Sequence, residues 1–337
     1  MSVAVSIVVS SRDRCDLLAG TIESLLAQTA DPGSYEIVAV DNGSSDGTAS
    51  MVRDFECQTK GRVRYVFEPR QGVSYGRNAG IAAAVGELIA FTDDDVRVQP
   101  EWLTAATRVL RDAPGIHYVG GPVLPLWEEP PPAWLTRQHW APIAAVDHGP
   151  QSFDVPDDRP VCLVTANLLV RRAALNRVGW FNPAFRRCQD RELMLRLWKA
   201  GLRGSYAPDV VALTLVPRER LQRRYHRWWH GMHGGCLARM PLRERRLGDR
   251  WLVAPSSEGR FFCGAPLFEY RALFTHVAKW IRHYAAGRRE DAFAEELQAR
   301  YSIAFVLTAM HVAIKRQGDA RSSGRRGKEA AIEAIRR

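Results

Sequence analysis

The chain has 337 residues, of which 46% are hydrophobic and 25% charged, a composition that is ordinary for a globular protein and excludes a fibrous or wholly disordered one. Lys and Arg number 47 against 37 Asp and Glu, so the formal net charge is +10 and anionic partners are favoured. The six cysteines form no Cys-x-x-Cys pair, which argues against a thiolate zinc site and is typical of a reducing compartment.

The first hundred residues alternate between strand and helix patterns. Four apolar runs have the length of buried strands, and amphipathic segments separate them. The four runs are residues 3–10, 35–40, 63–67 and 88–92. This alternation predicts an α/β fold with a mostly parallel sheet flanked by helices. Ligands of such sheets bind beyond the carboxyl ends of the strands, which is where Asp41 and the triplet Asp93, Asp94 and Asp95 lie.

The rest of the chain is less regular at first and then helical. Residues 161–170 are again strand-like, and 190–199 have a helical pattern with one apolar face. A basic segment with five arginines covers 218–227, and 267–313 are mainly helical. The longest apolar stretch, 303–314, is too short to span a bilayer, and no leader peptide is expected, so we expect a soluble or peripherally bound protein.

The acidic triplet is the first group of residues with chemical meaning. Three adjacent carboxylates repel one another, so a fold that gathers them needs a compensating cation. A hard divalent ion, Mn²⁺ or Mg²⁺, accepts carboxylate oxygens and keeps positions for diphosphate oxygens. If the strand continues through the triplet, Asp93 and Asp95 point to the same side. Taken alone, the triplet is equally consistent with a solvated acidic turn.

Three further segments precede the triplet in order, at residues 6–14, 40–48 and 72–80. This succession resembles the family-2 glycosyltransferases, which have the GT-A (Rossmann-like) fold, and the resemblance covers about residues 3–235. It implies an inverting enzyme that moves a sugar from a nucleotide diphosphate donor to an acceptor hydroxyl. The frequency of donors in the family favours a UDP-sugar.

The resemblance also implies roles for individual residues on the donor side. Asp41 matches the residue that hydrogen-bonds the nucleotide base, and Asp93 matches a position near the ribose. Arg77 matches a basic residue near the nucleotide. Alternatively, Asp41 forms a turn, although we assign that role to Asp46, and Arg77 and Asn78 merely lie on a helix face. The predicted nucleotide-sugar-binding residues are Ser10, Arg12, Asp41, Arg77, Asp93 and Asp94, and the predicted ligand of Mn²⁺ or Mg²⁺ is Asp95.

On the acceptor side, residues 188–193 resemble the family's acidic-pair segment, with Gln189 where Glu is common. Asp190 keeps the position of the catalytic base, which takes the proton of the attacking hydroxyl. The alternative is that Asp190 only caps the helix that follows. Asn167 matches a position beside the acceptor pocket, where it either holds the acceptor or satisfies a buried turn. Thr214 lies where many relatives carry a metal-contacting His, which leaves that third metal contact open.

The basic segment also has a weak resemblance to a second motif. Residues 224–228 loosely resemble a motif of processive synthases, but its Gln is missing and no membrane spans are expected, so we predict no processivity. The resemblance makes Trp228 a predicted acceptor-binding residue. His226, His230 and His233 could form a metal cluster, but on a basic, aromatic helix we expect them to face phosphate or solvent.

These observations lead to one domain plan. We predict a GT-A domain over 1–216, with a nucleotide-sugar-binding half at 1–100 and an acceptor half at 101–216. A helical C-terminal extension follows at 217–316, and a basic, mobile tail at 317–337.

The expected partners are a nucleotide sugar, a glycan, lipid-linked or small-molecule acceptor, and an anionic membrane face that is contacted peripherally; no nucleic acid is expected. The expected location is the cytoplasm, including the inner face of the membrane.

Three other classes of protein share parts of this pattern. A Rossmann dehydrogenase or a sugar nucleotidyltransferase needs a glycine-rich turn after the first strand, and residues 10–14 contain none. A non-catalytic protein that binds nucleic acid or an anionic membrane would explain the positive charge. It would leave unexplained the carboxylates that collect at strand and helix ends.

Overall fold

The computed structural model describes residues 3–155, 161–240, 246–247, 250–251 and 261–335, and it describes side chains over 3–155, 161–240 and 261–315. The chain forms two compact units. The first comprises Met1–Leu221 and Arg243–Ala254, and the second comprises Gln222–Leu242 and Pro255–Arg337. The domain limits at 216 and 316 stay predictions, because compactness alone does not show which part folds independently.

The first unit alternates strands and helices along most of its length. Its strands are β1 (Val5–Ser11), β2 (Tyr35–Asp41), β3 (Val63–Phe67), β4 (Leu88–Asp93), β5 (Val96–Val98), β6 (Ile116–Gly120), β7 (Val123–Trp127), β8 (Phe153–Asp154), β9 (Leu168–Arg171), β10 (Arg203–Tyr206), β11 (Ala212–Val216), β12 (Arg246–Leu247) and β13 (Arg250–Trp251). Its helices are α1 (Cys15–Leu26), α2 (Thr48–Gln58), α3 (Val73–Ala83), α4 (Trp102–Asp112), α5 (Arg172–Val178) and α6 (Gln189–Lys199).

Eight strands form the central sheet in the order β3-β2-β1-β4-β9-β6-β10-β8. The first four are parallel, and β1 and β2 are almost continuously buried, as expected for strands covered on both faces. β9 runs antiparallel to both β4 and β6, so the second half of the sheet is mixed. β8 also runs antiparallel to its neighbour β10. The predicted α/β fold with flanking helices is confirmed, with β9 and β8 as the departures from parallel pairing.

A second, three-stranded sheet has the order β5-β11-β7. Its strand β5 follows directly after the acidic triplet, and Val96 on β5 lies opposite Thr214 on β11. The backbone N–H of Leu215 donates to the carbonyl oxygen of Asp95 over 2.8 Å. The small sheet therefore fixes the backbone on which the triplet ends.

The packing of α3 against the central sheet depends on a glycine. A Cβ at Gly80 would lie 2.2 Å from Cγ1 of Val8, a side chain that is 1% exposed. We expect Gly80→Ala to lower the free energy of unfolding by about 1–3 kcal/mol, because overpacking outweighs the gain in helix propensity. Gly231 is the matched control, since a Cβ there meets no atom within 4 Å. Urea titration of both variants tests this; an unchanged midpoint for Gly80→Ala would contradict the packing argument.

The described part of the second unit is helical apart from one short strand pair. It contains α7 (Arg223–Arg239), β14 (Phe261–Phe262), β15 (Ala265–Pro266), α8 (Leu267–Ala285) and α9 (Arg289–Ile335). α9 packs against both α7 and α8. A Cβ at Gly234 of α7 would lie 2.2 Å from the carbonyl oxygen of Tyr301 of α9, so these two helices approach closely at a glycine. The backbone of 316–335 continues α9; the mobility of that tail stays a prediction.

One described helix, over Arg289–Lys315, is long and apolar enough to cross a membrane by length and composition, and 33% of its apolar 18-residue stretch is buried. The sequence-based expectation that 303–314 is too short for a span considered only part of this helix. Core helices of soluble proteins meet the same two criteria, so membrane association stays a prediction.

Candidate functional site

The candidate site lies at the carboxyl edge of β1, β2 and β4. Ser11 pairs in register with Asp41, and Ser10 pairs with Asp93. The two acidic positions that the sequence suggested therefore flank the end of β1, on its two neighbouring strands. Carboxyl ends of parallel strands are where ligands bind in sheets of this kind.

Asp41 is 2% exposed, and both of its carboxylate oxygens accept hydrogen bonds. The backbone N–H of Ser44 donates to Oδ1 over 2.8 Å, and the hydroxyl of Tyr65 donates to Oδ2 over 2.9 Å. Asp41 thus also supports the turn that follows β2, a role that we had assigned to Asp46. Asp46 accepts bonds from the N–H groups of Cys15 and Thr48, so the two aspartates share the task. Sequence reasoning missed Tyr65.

The acidic triplet is not one continuous strand. β4 ends at Asp93, and Asp94 and Asp95 form the turn before β5, so the alternation that would align Asp93 with Asp95 does not apply. Each carboxylate has an arginine partner. Arg77 donates to Asp93 over 2.7 Å, and Arg14 donates to Asp94 over 2.5 Å. Asp95 accepts from Arg14 and from Arg220, each over 3.3 Å.

Burial and like charges act on this turn. The pKa of Asp94 is raised to about 6, because burial and the charges of Asp95 and Asp93 together outweigh the lowering by Arg14 and by the Ser11 hydroxyl. Burial lowers the pKa of the Arg14 guanidinium, but the charges of Asp94 and Asp95 outweigh this effect and the pKa lies above its usual value. Part of the positive charge that the triplet requires therefore comes from Arg14, which the sequence analysis did not single out.

Arg77 is a buried cation at the same edge. Its side chain is 6% exposed, its guanidinium lies 5.3 Å from the ring centre of Phe181, and Nη1 has no hydrogen-bond partner among the described residues. A buried donor without a partner is costly unless a ligand satisfies it. This arrangement favours a binding role over the alternative of an ordinary helix-face residue.

The remaining predicted donor residues lie beside β1. Ser10 is half-buried, and a Cβ at Gly76 of α3 would lie 2.0 Å from its Oγ, so the helix and strand are in close contact there. Arg12 is exposed and its Nε lies 3.4 Å from Asp13 Oδ2, a surface pair that contributes little stability.

Asp190 lies in the first turn of α6 and is half-buried. The N-cap of this helix is Cys188, which has a left-handed backbone (φ 58°), and the cap makes no side-chain hydrogen bond. Asp190 is therefore not the N-cap residue, but its Oδ1 accepts the backbone N–H of Arg191 over 2.8 Å and so satisfies one donor of the first helical turn. Glu192 is 5% exposed and accepts two hydrogen bonds from Arg196, over 2.8 and 2.7 Å, which indicates a structural role.

The segment before α6 is attached to the helix that carries Arg77. Asn78 donates to the carbonyl oxygen of Phe181 over 2.8 Å and accepts from the Phe181 N–H over 2.9 Å. This reciprocal pair holds the chain nine residues before Asp190 against α3. Sequence reasoning had treated Asn78 only as a helix-face residue.

Asn167 does not fit an acceptor-binding role. It is 1% exposed, and its Oδ1 accepts from Trp102 Nε1 over 2.7 Å. Its Nδ2 donates to the carbonyl oxygens of Pro122 and Val210, over 2.9 and 2.7 Å. Of the two roles left open by the sequence, the geometry favours the satisfaction of buried backbone, and the acceptor role needs an accessible amide that Asn167 lacks.

We expect Asn167→Ala to lower the free energy of unfolding by about 2–3 kcal/mol, because it strands a buried indole N–H and two buried carbonyl groups. Asn176→Ala is the matched control: Asn176 also accepts from a tryptophan, Trp180, but at an exposed position and over 3.4 Å. Thermal unfolding of both variants tests the difference, and equal melting temperatures would contradict the structural role.

Three other predicted features have mixed outcomes. Thr214 is 1% exposed and its Oγ1 has no hydrogen-bond partner in the described part of the chain. His226 is fully buried and His230 is 8% exposed, so the expectation that they face phosphate or solvent is wrong. Trp228, 49% exposed, belongs to the second unit, and its acceptor role stays a prediction.

Metal binding fits this edge only in part. Carboxylate and hydroxyl oxygens are the ligands that Mn²⁺ and Mg²⁺ prefer. Asp95 directly precedes Val96, the residue of β5 that pairs with Thr214 on β11, and the Thr214 hydroxyl has no hydrogen-bond partner among the described residues. Within the described residues, however, no three His, Cys, Asp or Glu side chains group closely enough to hold a metal ion. A divalent ion here would depend on oxygens from a bound diphosphate.

The parallel half of the sheet has carboxylates and a buried arginine at its carboxyl edge, where ligands of such sheets bind. Residues 6–179 match the glycosyl transferase family 2, and the chain belongs to this family. This membership disfavours the alternative of a non-catalytic binding protein.

The chain is 28% identical over 149 residues to the glucosyl-dolichyl phosphate glucuronosyltransferase of Haloferax volcanii, a match that covers 44% of this chain and 47% of that protein. It therefore spans about half the length of that relative. It is 25% identical over 261 residues to the succinoglycan biosynthesis protein ExoM of Rhizobium meliloti, covering 73% of this chain and 78% of that one.

A solved structure has a similar fold. The mannosyltransferase PcManGT from Pyrobaculum calidifontis, in complex with GDP-Man and Mn²⁺, superposes with a TM-score of 0.63 at 20% identity and covers 92% of this chain and 88% of that one. At this identity the likeness concerns the fold.

Proposed function

We propose that this chain is an inverting glycosyltransferase that moves a sugar from a nucleotide diphosphate donor to an acceptor hydroxyl. The observation that carries the proposal is the convergence of Asp41, Asp93 and the buried Arg77 at the carboxyl edge of β1, β2 and β4. The anionic sugar donor needs a cationic side chain with an unused N–H. Arg77 is such a side chain, because its Nη1 has no hydrogen-bond partner among the described residues. We retain a UDP-sugar as the proposed donor, and a GDP-sugar is the alternative suggested by the solved neighbour.

The donor-side roles follow from these positions. Asp41 is proposed to accept a hydrogen bond from the nucleotide base with a lone pair that Ser44 and Tyr65 leave unused, since each carboxylate oxygen accepts two bonds. Asp93, whose side chain is 38% exposed, is proposed to contact the ribose. Asp94, Ser10 and Arg12 complete the proposed donor-binding set, with Asp94 acting mainly by holding Arg14 in place.

Asp95 is the proposed ligand for Mn²⁺ or Mg²⁺. When bound, the ion supplies positive charge that offsets the charge developing on the leaving diphosphate. Arg14 and Arg220 contact the same carboxylate, so they provide part of this charge themselves and compete with a metal ion for Oδ2 of Asp95.

Asp190 is the proposed catalytic base. Its carboxylate takes the proton of the acceptor hydroxyl while that oxygen forms its bond to the anomeric carbon and the bond to the diphosphate breaks. Inversion follows from this single displacement. Cys188 rather than Asp190 is the N-cap of α6, although Asp190 Oδ1 accepts the N–H of Arg191.

The acceptor is proposed to be a glycan, a lipid-linked sugar or a small molecule with a hydroxyl group. The names of two relatives mention a dolichyl phosphate sugar and succinoglycan, which represent the first two classes. Trp228 is the proposed acceptor-binding residue. The proposed peripheral contact with an anionic membrane is weakened, since Arg220 and Arg227 already pair with carboxylates.

A thermal-shift screen tests the proposal. We expect one UDP- or GDP-sugar to raise the melting temperature in the presence of Mn²⁺, because a ligand that binds only the folded protein stabilises it. Hydrolysis of the same donor, followed by release of the nucleotide diphosphate, should then be measurable. If no nucleotide sugar in the panel stabilises the protein or is hydrolysed, the proposed function is wrong.

A further inference from the structure

The helical second unit contains a cleft of about 430 Å³ between α7, α8 and α9. A cleft of this size is in the range of small-molecule sites. Aromatic rings form part of its wall, and Glu296 is the one carboxylate among the described residues that line it. The cationic lining residues are Arg223, Arg227, Arg289 and Arg300.

The single carboxylate is already engaged. Glu296 is 7% exposed and accepts from Arg227 Nε and Nη2 over 2.7 and 3.0 Å and from Arg300 Nε over 2.7 Å. Burial raises the pKa of Glu296, but the bonds from the two arginines outweigh it and hold the pKa below its usual value. Glu296 is thus an anion shared between two cations, and the lining keeps an excess of positive charge.

The other contacts concentrate this charge. Arg223 and Arg227 lie 4.6 and 5.2 Å from the ring centre of Phe293, so two like charges share one ring. Arg289 lies 4.1 Å from the ring centre of Tyr284. Cation–π contacts stabilise each guanidinium, but they do not cancel the repulsion between the cations. An anionic ligand would offset this repulsion.

We propose that this cleft binds a phosphate or diphosphate group. Guanidinium groups match phosphate oxygens in geometry, and each carries five N–H donors, more than Glu296 can accept. A phosphate fills only part of 430 Å³, so the cleft has room for a group attached to it. The rings of Trp280 and Tyr284, which line the cleft, offer an apolar surface to such a group.

Titration calorimetry of the full chain with inorganic pyrophosphate, in EDTA, tests the proposal. Arg289→Gln and Arg300→Gln should each weaken binding by about tenfold, as expected for the loss of a charged hydrogen-bond donor. Arg271→Gln is the matched control, because Arg271 is an exposed arginine of α8 outside the cleft. Pyrophosphate can also enter the proposed donor site, so only affinity lost in the cleft variants is assigned to the cleft.

The outcomes are distinct. Equal weakening by Arg271→Gln would indicate attraction to the general positive charge and would overturn the proposal, as would unchanged binding in both cleft variants. Arg289 is exposed and does not pair with Glu296, so its variant remains informative if Arg300→Gln loosens the helices. Titration with farnesyl diphosphate shows whether the bound phosphate group is free or attached to a lipid. If farnesyl diphosphate binds about tenfold more tightly than pyrophosphate, a lipid-linked phosphate is supported, and if the two bind equally, a free phosphate is supported.

Discussion

Asp190→Asn is expected to lower the rate of sugar transfer by about 10²–10⁴-fold and to leave donor affinity nearly unchanged. Asn has the size of Asp but does not accept the proton of the acceptor hydroxyl. The helix should be unaffected, because its N-cap is Cys188 and the Oδ1 of Asn can still accept the bond that Asp190 Oδ1 accepts from the Arg191 N–H over 2.8 Å. Initial rates, donor titration and melting temperature on one preparation measure the three quantities.

Glu192→Gln is the matched control for this variant. Glu192 lies two residues further along α6, but it is buried and held by Arg196. We expect this variant to lose about 1–3 kcal/mol of stability and to keep its rate once folded. A rate for Asp190→Asn within about threefold of the wild type, far from the loss expected for a general base, would remove Asp190 from the mechanism.

The first half of the fold could be predicted because its signals are local. Buried apolar runs alternate with amphipathic helices from Val5 to Asp93, and short crossovers of this kind join parallel strands. The antiparallel direction of β9 was not predictable in the same way. The apolar run at 161–170 has the same pattern in either direction, and only its tertiary neighbours β4 and β6 determine the pairing.

The candidate site was predictable where it depends on strand ends. Asp41 and Asp93 follow apolar runs, so their position at one sheet edge follows from parallel pairing. Arg14 and Arg220 were missed as partners of the triplet because they contact Asp95 across 81 and 125 residues of sequence. The location of Arg14 in the loop after β1 was the available signal, since that loop follows the same edge.

The opposite error occurred at Asn167. The family resemblance suggested that Asn167 contacts the acceptor. The neighbouring residues Ala166 and Leu168 are buried together with Asn167, however, and a buried polar side chain needs hydrogen-bond partners within the protein. The pairing with Trp102, 65 residues away, is again a tertiary feature. Sequence patterns therefore predicted which elements form the site better than which polar side chains remain accessible within it.

Asp95→Ala is expected to abolish the part of donor affinity that depends on Mn²⁺, a loss of about 100-fold or more. Replacing a residue that only supports a metal ligand already costs about 10–100-fold, so removing a ligand should cost at least as much. The fold should survive, because Arg14 keeps its bond to Asp94. Calorimetric titration of the nucleotide with Mn²⁺ and with EDTA, in wild type and variant, measures the metal-dependent part.

Asp209→Ala is the matched control, since Asp209 is an exposed aspartate that pairs with an arginine, Arg108, over 3.1 Å. It should leave donor affinity unchanged with and without the metal. If Asp95→Ala weakens donor binding equally in Mn²⁺ and in EDTA, the carboxylate acts by positioning Arg14 and Arg220, and the arginines supply the positive charge at the diphosphate. If affinity is unchanged in both conditions, Asp95 has no part in donor binding, because neither the metal nor the two guanidinium groups would then depend on its carboxylate.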